Sequence, residues 1–118
     1  MQYVCLIYLV EKDMNAMTRN EADACTEESL AYDEALRRGR HLVVAHALEP
    51  VETATTIRVR NGKVSATDGP FAETKEQLGG FFLIEARDLD EACEVASRFP
   101  PARLGVVEVR PVWELKHS

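Results

Sequence analysis

The chain has 118 residues, 46% of them apolar, with 3 Cys, 5 Pro and a net charge of −6 from 14 Lys plus Arg against 20 Asp plus Glu. That size suits one compact domain over residues 1–118, with a core that needs neither disulfides nor a structural metal. The acidic balance, unrelieved by any Lys/Arg cluster, argues against nucleic acid as a partner, and no apolar run approaches the roughly 20 residues that span a bilayer, which argues against a membrane.

Met1 to Val10 shows no basic leader pattern, so a cytoplasmic location is the expectation. Gln2 to Val10 is an almost unbroken run rich in Val, Ile and Tyr, too short for a typical buried helix; it predicts a central strand covered on both faces. Thr18 and Glu21 have capping-box spacing, so a helix starts there. It carries Ala22, Cys25, Ser29, Tyr32 and Leu36 on one stripe and ends near Gly39, where a residue without Cβ accepts the left-handed backbone of a helix end. His41 to Leu48 reads as a strand with Leu42, Val44, His46 and Leu48 on one side. Pro50 breaks its ladder, because proline has no amide hydrogen to donate.

Thr55 to Arg60 and Lys63 to Thr67 flank Asn61-Gly62, the dipeptide that best accepts the positive φ angles of a type I′ turn. Counting outward from this hairpin turn pairs Arg60 with Lys63, Val59 with Val64, Arg58 with Ser65 and Ile57 with Ala66. One face is apolar; the other gathers Arg58, Arg60 and Lys63. Asp68-Gly69-Pro70-Phe71 marks an ordered turn, and AETKEQL is a short helical or loop stretch. Gly79-Gly80 then leads into a strand from Phe81 to Ala86. Asp88 with Glu91 opens a second helix, carrying Leu89, Ala92, Cys93, Ala96 and Phe99 until Pro100-Pro101 stops it. Gly105 to Trp113 supplies the last strand.

This order is that of an α+β, ferredoxin-like βαββαβ unit with an inserted β-hairpin. Such a unit packs both helices on one face of an antiparallel sheet, and strands apolar on both sides need cover on the other face as well. The simplest cover is a second copy, so a homodimer is expected.

The stretch ATTIRVRNGKVSATDGPFAETKEQLGGFFLIEARDLDEA (Ala54 to Ala92), with VEVRPVWEL (Val107 to Leu115), resembles the DGPF subgroup of the YCII-related proteins; TDGPFAETKEQLGGF, Thr67 to Phe81, is the most specific part. The resemblance implies a dimeric α+β barrel, members without an assigned reaction, and a frequent genomic link to extracytoplasmic-function sigma factors. The wider family is credited with a His in the first helix and an Asp before a Pro after the second. Here Ser29 and Leu30 stand near the first place and Phe99 precedes Pro100, so that dyad does not carry over.

Other residues must then supply any chemistry. Asp68 is a candidate acid, base or cation ligand, beside its ordinary role of bonding turn amides. His46, on an apolar strand face, is a packed structural histidine unless it meets Asp68, when a carboxylate-oriented imidazole makes a general base. Arg58 and Arg110 offer bidentate anion contacts or are simply solvated. Glu73 and Lys75 either add a carboxylate and an ammonium to a cavity or form a solvated turn. Tyr8 and Tyr32 either line a pocket or pack in the core with satisfied hydroxyls. His41, at the strand entrance, and His117, near the C-terminal end, pair poorly with His46. Cys5, Cys25 and Cys93 fall in apolar patterns without metal-ligand spacing, so they read as buried thiols and no metal is expected. No GxGxxG, Walker, HExxH or GxSxG motif suggests an organic cofactor. The first functional reading is a small-molecule ligand pocket formed between the sheet, the inserted hairpin and the dimer partner, with cofactor-free proton transfer by Asp68 and His46 and with Arg58 as anion clamp. The second is a non-enzymatic interaction or metabolite-sensing module, presenting Arg58, Arg60 and Lys63 to a sigma-factor-linked protein partner.

Overall fold

Burial alternates along the first strand and sets the architecture. In the computed structural model, which describes residues 1–115 and so leaves His117 outside them, β1 (Gln2–Leu9) buries Tyr3, Cys5 and Ile7 on one side. Val4, Leu6 and Tyr8 are half-buried on the other, so within one chain the strand is covered on one face, not on both. α1 (Glu11–Asn15) follows, a short helix that no periodicity signals; Glu11 Oε2 accepts the Val51 amide at 2.9 Å and ties it to a later connection.

The next two elements follow local rules. α2 (Arg19–Arg38) starts at the expected capping box, in which the Glu21 amide donates to Thr18 Oγ1 and the Thr18 amide to Glu21 Oε1, each at 3.1 Å. Its end differs from expectation: Gly39 stays right-handed at φ −77° and Arg40 takes the left-handed position at φ 63°. The His41 amide then reaches back to the Leu36 carbonyl and the Arg40 amide to that of Arg37, the Schellman pattern with arginine where glycine is usual. β2 (Leu42–Ala47) also departs from simple alternation. A register shift between Leu42 and Val44 bulges the strand at Val43, so Leu42 and Ala45 pack on the helix-covered core while Val44 and His46 turn to the opposite face.

β3 (Thr55–Arg60) and β4 (Lys63–Asp68) form a separate two-stranded sheet with all four expected pairs, closed by Asn61 at φ 51° and Gly62 at φ 76°. β5 (Gln77–Glu85) begins earlier than expected and continues through Gly79 and Gly80, with a shift of register against β1 that leaves Gly79 unpaired; the stretch before it is irregular, not helical. α3 (Leu89–Ser97) is capped by Asp88, whose Oδ1 accepts the Glu91 amide at 2.9 Å. Of the expected stripe, Ala92, Ala96 and Phe99 are buried, with Val95 beside them, while Leu89 and Cys93 are exposed. A 3₁₀ turn over Pro100–Arg103 leads to β6 (Val106–Pro111).

The sheet order β2-β5-β1-β6, antiparallel throughout, is that of a ferredoxin-like unit with β1 inside. α2 and α3 cover the face carrying Cys5, Phe82 and Ile84; Phe82 stacks on Phe99 with ring centroids 4.0 Å apart. No helix among the described residues is long and apolar enough to cross a membrane.

Candidate functional site

The stripe of α2 that faces the sheet does not close completely against it. Cys25, Ser29 and Asp33, spaced by four residues, occupy one line along the helix and border a cavity of about 460 Å³. Phe82 and Gly80 of β5 and Ala45 of β2 border it too, with Met14 of α1, Met17 just after that helix, and Pro100, Pro101 and Leu104 after α3. The walls are mostly apolar, the pattern of a ligand site with few oriented polar groups.

Asp33 is the exception in that wall. Its Oδ1 is buried and has no hydrogen-bond partner among the described residues. Burial pushes its carboxyl above the usual carboxylate range; Arg37, one turn on, pulls the other way but less strongly. Arg37 is mostly exposed and its Nη1 lies 3.6 Å from Glu34 Oε2, which divides its charge between two carboxylates. A carboxyl with a raised pKa, an unpartnered oxygen and a cavity in front of it is placed to take up a proton from a bound molecule or to return one. Ser29, one turn before it, adds a hydroxyl.

Sequence reasoning places Cys25 and Ser29 on this stripe and misses Asp33. The signal was the four-residue step: 25, 29, 33. The apolar pattern diverts the stripe instead to Tyr32 and Leu36, which serve the core. Tyr32 packs edge-on to Phe99 at 5.4 Å and its hydroxyl donates to the Val95 carbonyl at 2.8 Å, so this candidate ligand residue is a satisfied core tyrosine.

The other candidates are scattered. His46 is exposed on the sheet face opposite the helices, its ring 5.8 Å from that of Phe81, and the residue lies at the border of the α2 cavity. Asp68 ends β4, exposed, paired with Thr55; among the described residues its carboxylate accepts no hydrogen bond. The turn is held instead by the Gly69 amide on the Ala54 carbonyl at 2.7 Å and the Thr56 hydroxyl on the Gly69 carbonyl at 2.8 Å, with Gly69 at φ 97°. Asp68 and His46 border no common cavity among the described residues. Arg58 and Glu73 are exposed and also outside the cavities. Tyr8 and Lys75 do share one, a cleft of about 1080 Å³ between the Leu48–Thr56 connection and the loop that carries Pro70 and Phe71.

The cysteines differ among themselves. Burial pushes the Cys5 thiol up to about 12, with Cys93 adding in the same direction, so Cys5 is an inert core thiol. Cys93, expected buried, is exposed, and Cys25 is half-buried at the α2 cavity.

The model of the YCII-related domain matches residues 1–116. An uncharacterised protein of Rhizobium meliloti strain 1021 is 36% identical over 114 residues, 95% of this chain and 92% of its own. Among solved structures, 5-chloro-2-hydroxyhydroquinone dehydrochlorinase from Burkholderia phenoliruptrix, in complex with 2,5-dihydroxybenzoquinone, superposes with a TM-score of 0.52. It is 20% identical, and the match covers 100% of this chain and 96% of that one. At that identity the likeness is one of fold.

Proposed function

The chain belongs to the YCII-related domain family, and on that premise we propose that it binds a small organic molecule between α2 and the sheet and moves a proton on it through Asp33. The carrying observation is the Asp33 carboxyl, its Oδ1 buried without a partner at the wall of an apolar cavity. Position supports it too. The resemblance puts the wider family's helix histidine near Ser29 and Leu30; both border this cavity, and Asp33 follows Ser29 by one turn. That a similar fold carries a dehydrochlorinase supports an enzymatic reading over a purely structural one.

In this reading the ligand's apolar body lies against Phe82, Leu30 and Pro100, and Ser29 orients a polar substituent. Asp33 accepts a proton from the ligand as carboxylate and returns it as acid, a cofactor-free exchange aided by burial that brings its two forms closer in free energy. The test is a thermal-shift screen of the purified protein against a metabolite collection, followed by turnover assays on every hit. Asp33→Asn keeps the side-chain shape and is expected to abolish the shift or to lower turnover by about 10²–10⁴-fold. Asp68→Asn is expected to change neither. A hit whose binding and turnover survive Asp33→Asn intact removes Asp33 from the mechanism.

We also propose a homodimer closed over the sheet face opposite the helices. Val4, Leu6, Phe81 and Leu83 lie on that face only half-buried, and the hairpin leaves Ile57, Val59 and Val64 at 58%, 56% and 70% exposure. The opposite face of the hairpin keeps Arg58, Arg60 and Lys63 exposed, which favours as a second reading an acidic protein segment docked there.

A further inference from the structure

The charge character of the α2 cavity narrows what it can hold; this inference rests on that cavity being the binding site. Among the described residues, Asp33 is the one charged side chain on its lining, and no Lys or Arg borders it. The remaining polar residues there are Cys25, Thr26, Ser29 and His46; the His46 ring lies beside Phe81 on the opposite face of the sheet, and the Thr26 hydroxyl already donates to the Ala22 carbonyl at 3.0 Å. The cleft with Tyr8 is different in kind, since Lys75 stands on its wall.

Three ligand classes meet this lining differently. A carboxylate or phosphate would lose its water to apolar walls and meet a like charge at Asp33 with no cation to offset either. An ammonium would gain Asp33 but brings three donors, and beyond that carboxylate the lining offers few acceptors, so most of its hydration is lost without replacement. A neutral hydroxyl needs one acceptor and supplies one donor, and a buried oxygen without a partner is the acceptor this wall leaves open. The volume, about 460 Å³, lies near the lower end of the range for small-molecule sites and suits a single substituted ring. Ile7, Leu9, Leu30, Phe82 and Leu104 supply apolar surface for its faces and edges.

We infer that the α2 cavity selects an uncharged, single-ring compound whose hydroxyl group donates to Asp33 Oδ1. Binding of such a compound satisfies the orphaned oxygen and places an acidic O–H at the carboxyl that is to take its proton. Selection against anions follows from the same lack of a cation.

The test uses three probes of one size: catechol, benzoate and benzylamine. Each is titrated into the full chain at pH 7.5 and followed by amide chemical shifts, which report affinity and position together. Catechol is expected to perturb amides of α2 and β5 around Ser29, Asp33 and Phe82, and to bind at least tenfold more tightly than either charged probe. Asp33→Asn is expected to weaken catechol at least tenfold, with its unliganded amide spectrum reporting an intact fold. Tighter binding of benzylamine or benzoate at the same amides overturns the ligand class and leaves the site standing. Perturbations confined to Tyr8, Lys75 and their neighbours overturn the site itself. No perturbation by catechol up to millimolar concentration overturns the inference, while the metabolite screen still decides the site.

Discussion

Asp33 sits where an aspartate is unfavourable, and pH should expose that cost. Its folded-state pKa is raised by burial, so the folded chain holds its proton more tightly than the unfolded chain does. Stability linked to this group is therefore complete below the ordinary carboxylate pKa and is lost as pH rises through the raised value. Asn titrates nowhere in that range. Asp33→Asn is thus expected to gain stability relative to the parent between pH 4 and pH 8, measured by urea unfolding at both ends. A difference that stays constant or shrinks toward pH 8 would show that the carboxyl is not penalised. Glu21 moves the opposite way, held below its usual range by its hydrogen bonds with Thr18, but the comparison cancels it because both proteins keep it. At this scale the sequence was half legible. Cys25 and Ser29 lie on a stripe that helical periodicity picks out, yet an aspartate on such a stripe reads as its solvent edge until the cavity is seen. Asp68 and His46 were attractive by chemistry alone; the faces they occupy depend on pairings that composition does not encode.

Elements specified by neighbours in sequence are the ones that periodicity and spacing predict well. The Thr18–Glu21 box and the Asn61-Gly62 hairpin, with its register, need only short-range geometry. The Val43 bulge, the long reach of β5 and the unsignalled α1 depend instead on partners far along the chain. Gly80 shows how close that long-range packing is. A Cβ built there would lie 2.9 Å from the His46 carbonyl oxygen and 3.4 Å from Ala47 Cα, both backbone atoms of β2 that cannot swing aside. At Gly79 the nearest atom, at 3.1 Å, is the end of the flexible Leu9 side chain. Gly80→Ala is therefore expected to push β2 off β5 and destabilise the chain by about 1–3 kcal/mol. Gly79→Ala is expected to be milder, because Leu9 can rotate and the unfolded chain loses entropy. Urea midpoints of the two variants decide this; equal losses would mean that the β2–β5 approach is not the constraint.

The whole molecule is a slab of 50 × 47 × 19 Å with a radius of gyration of 16.4 Å. A compact chain of this length has a radius of about 13.5 Å. The excess comes with a hairpin whose apolar face is bare and a sheet whose second face is only half covered. A single chain gains little from arranging β-branched and aromatic residues on those surfaces, whereas a partner copy can bury both together. Light scattering after size exclusion at micromolar concentration is expected to give twice the 13.2 kDa of one chain. Leu6 and Phe81 face each other across β1 and β5 on the uncovered side, so Leu6→Glu and Phe81→Glu place a carboxylate at the centre of that contact while leaving the helix-covered core intact. Both variants are expected to be folded monomers with unchanged far-ultraviolet circular dichroism. A parent chain that is monomeric, or dimers that survive both substitutions, would remove the sheet-to-sheet contact. The two proposals are also separable, because the α2 cavity lies on the helix side of the sheet. A monomeric Leu6→Glu chain should keep its catechol affinity within a few-fold, whereas a site built jointly by two copies would lose ligand and partner together.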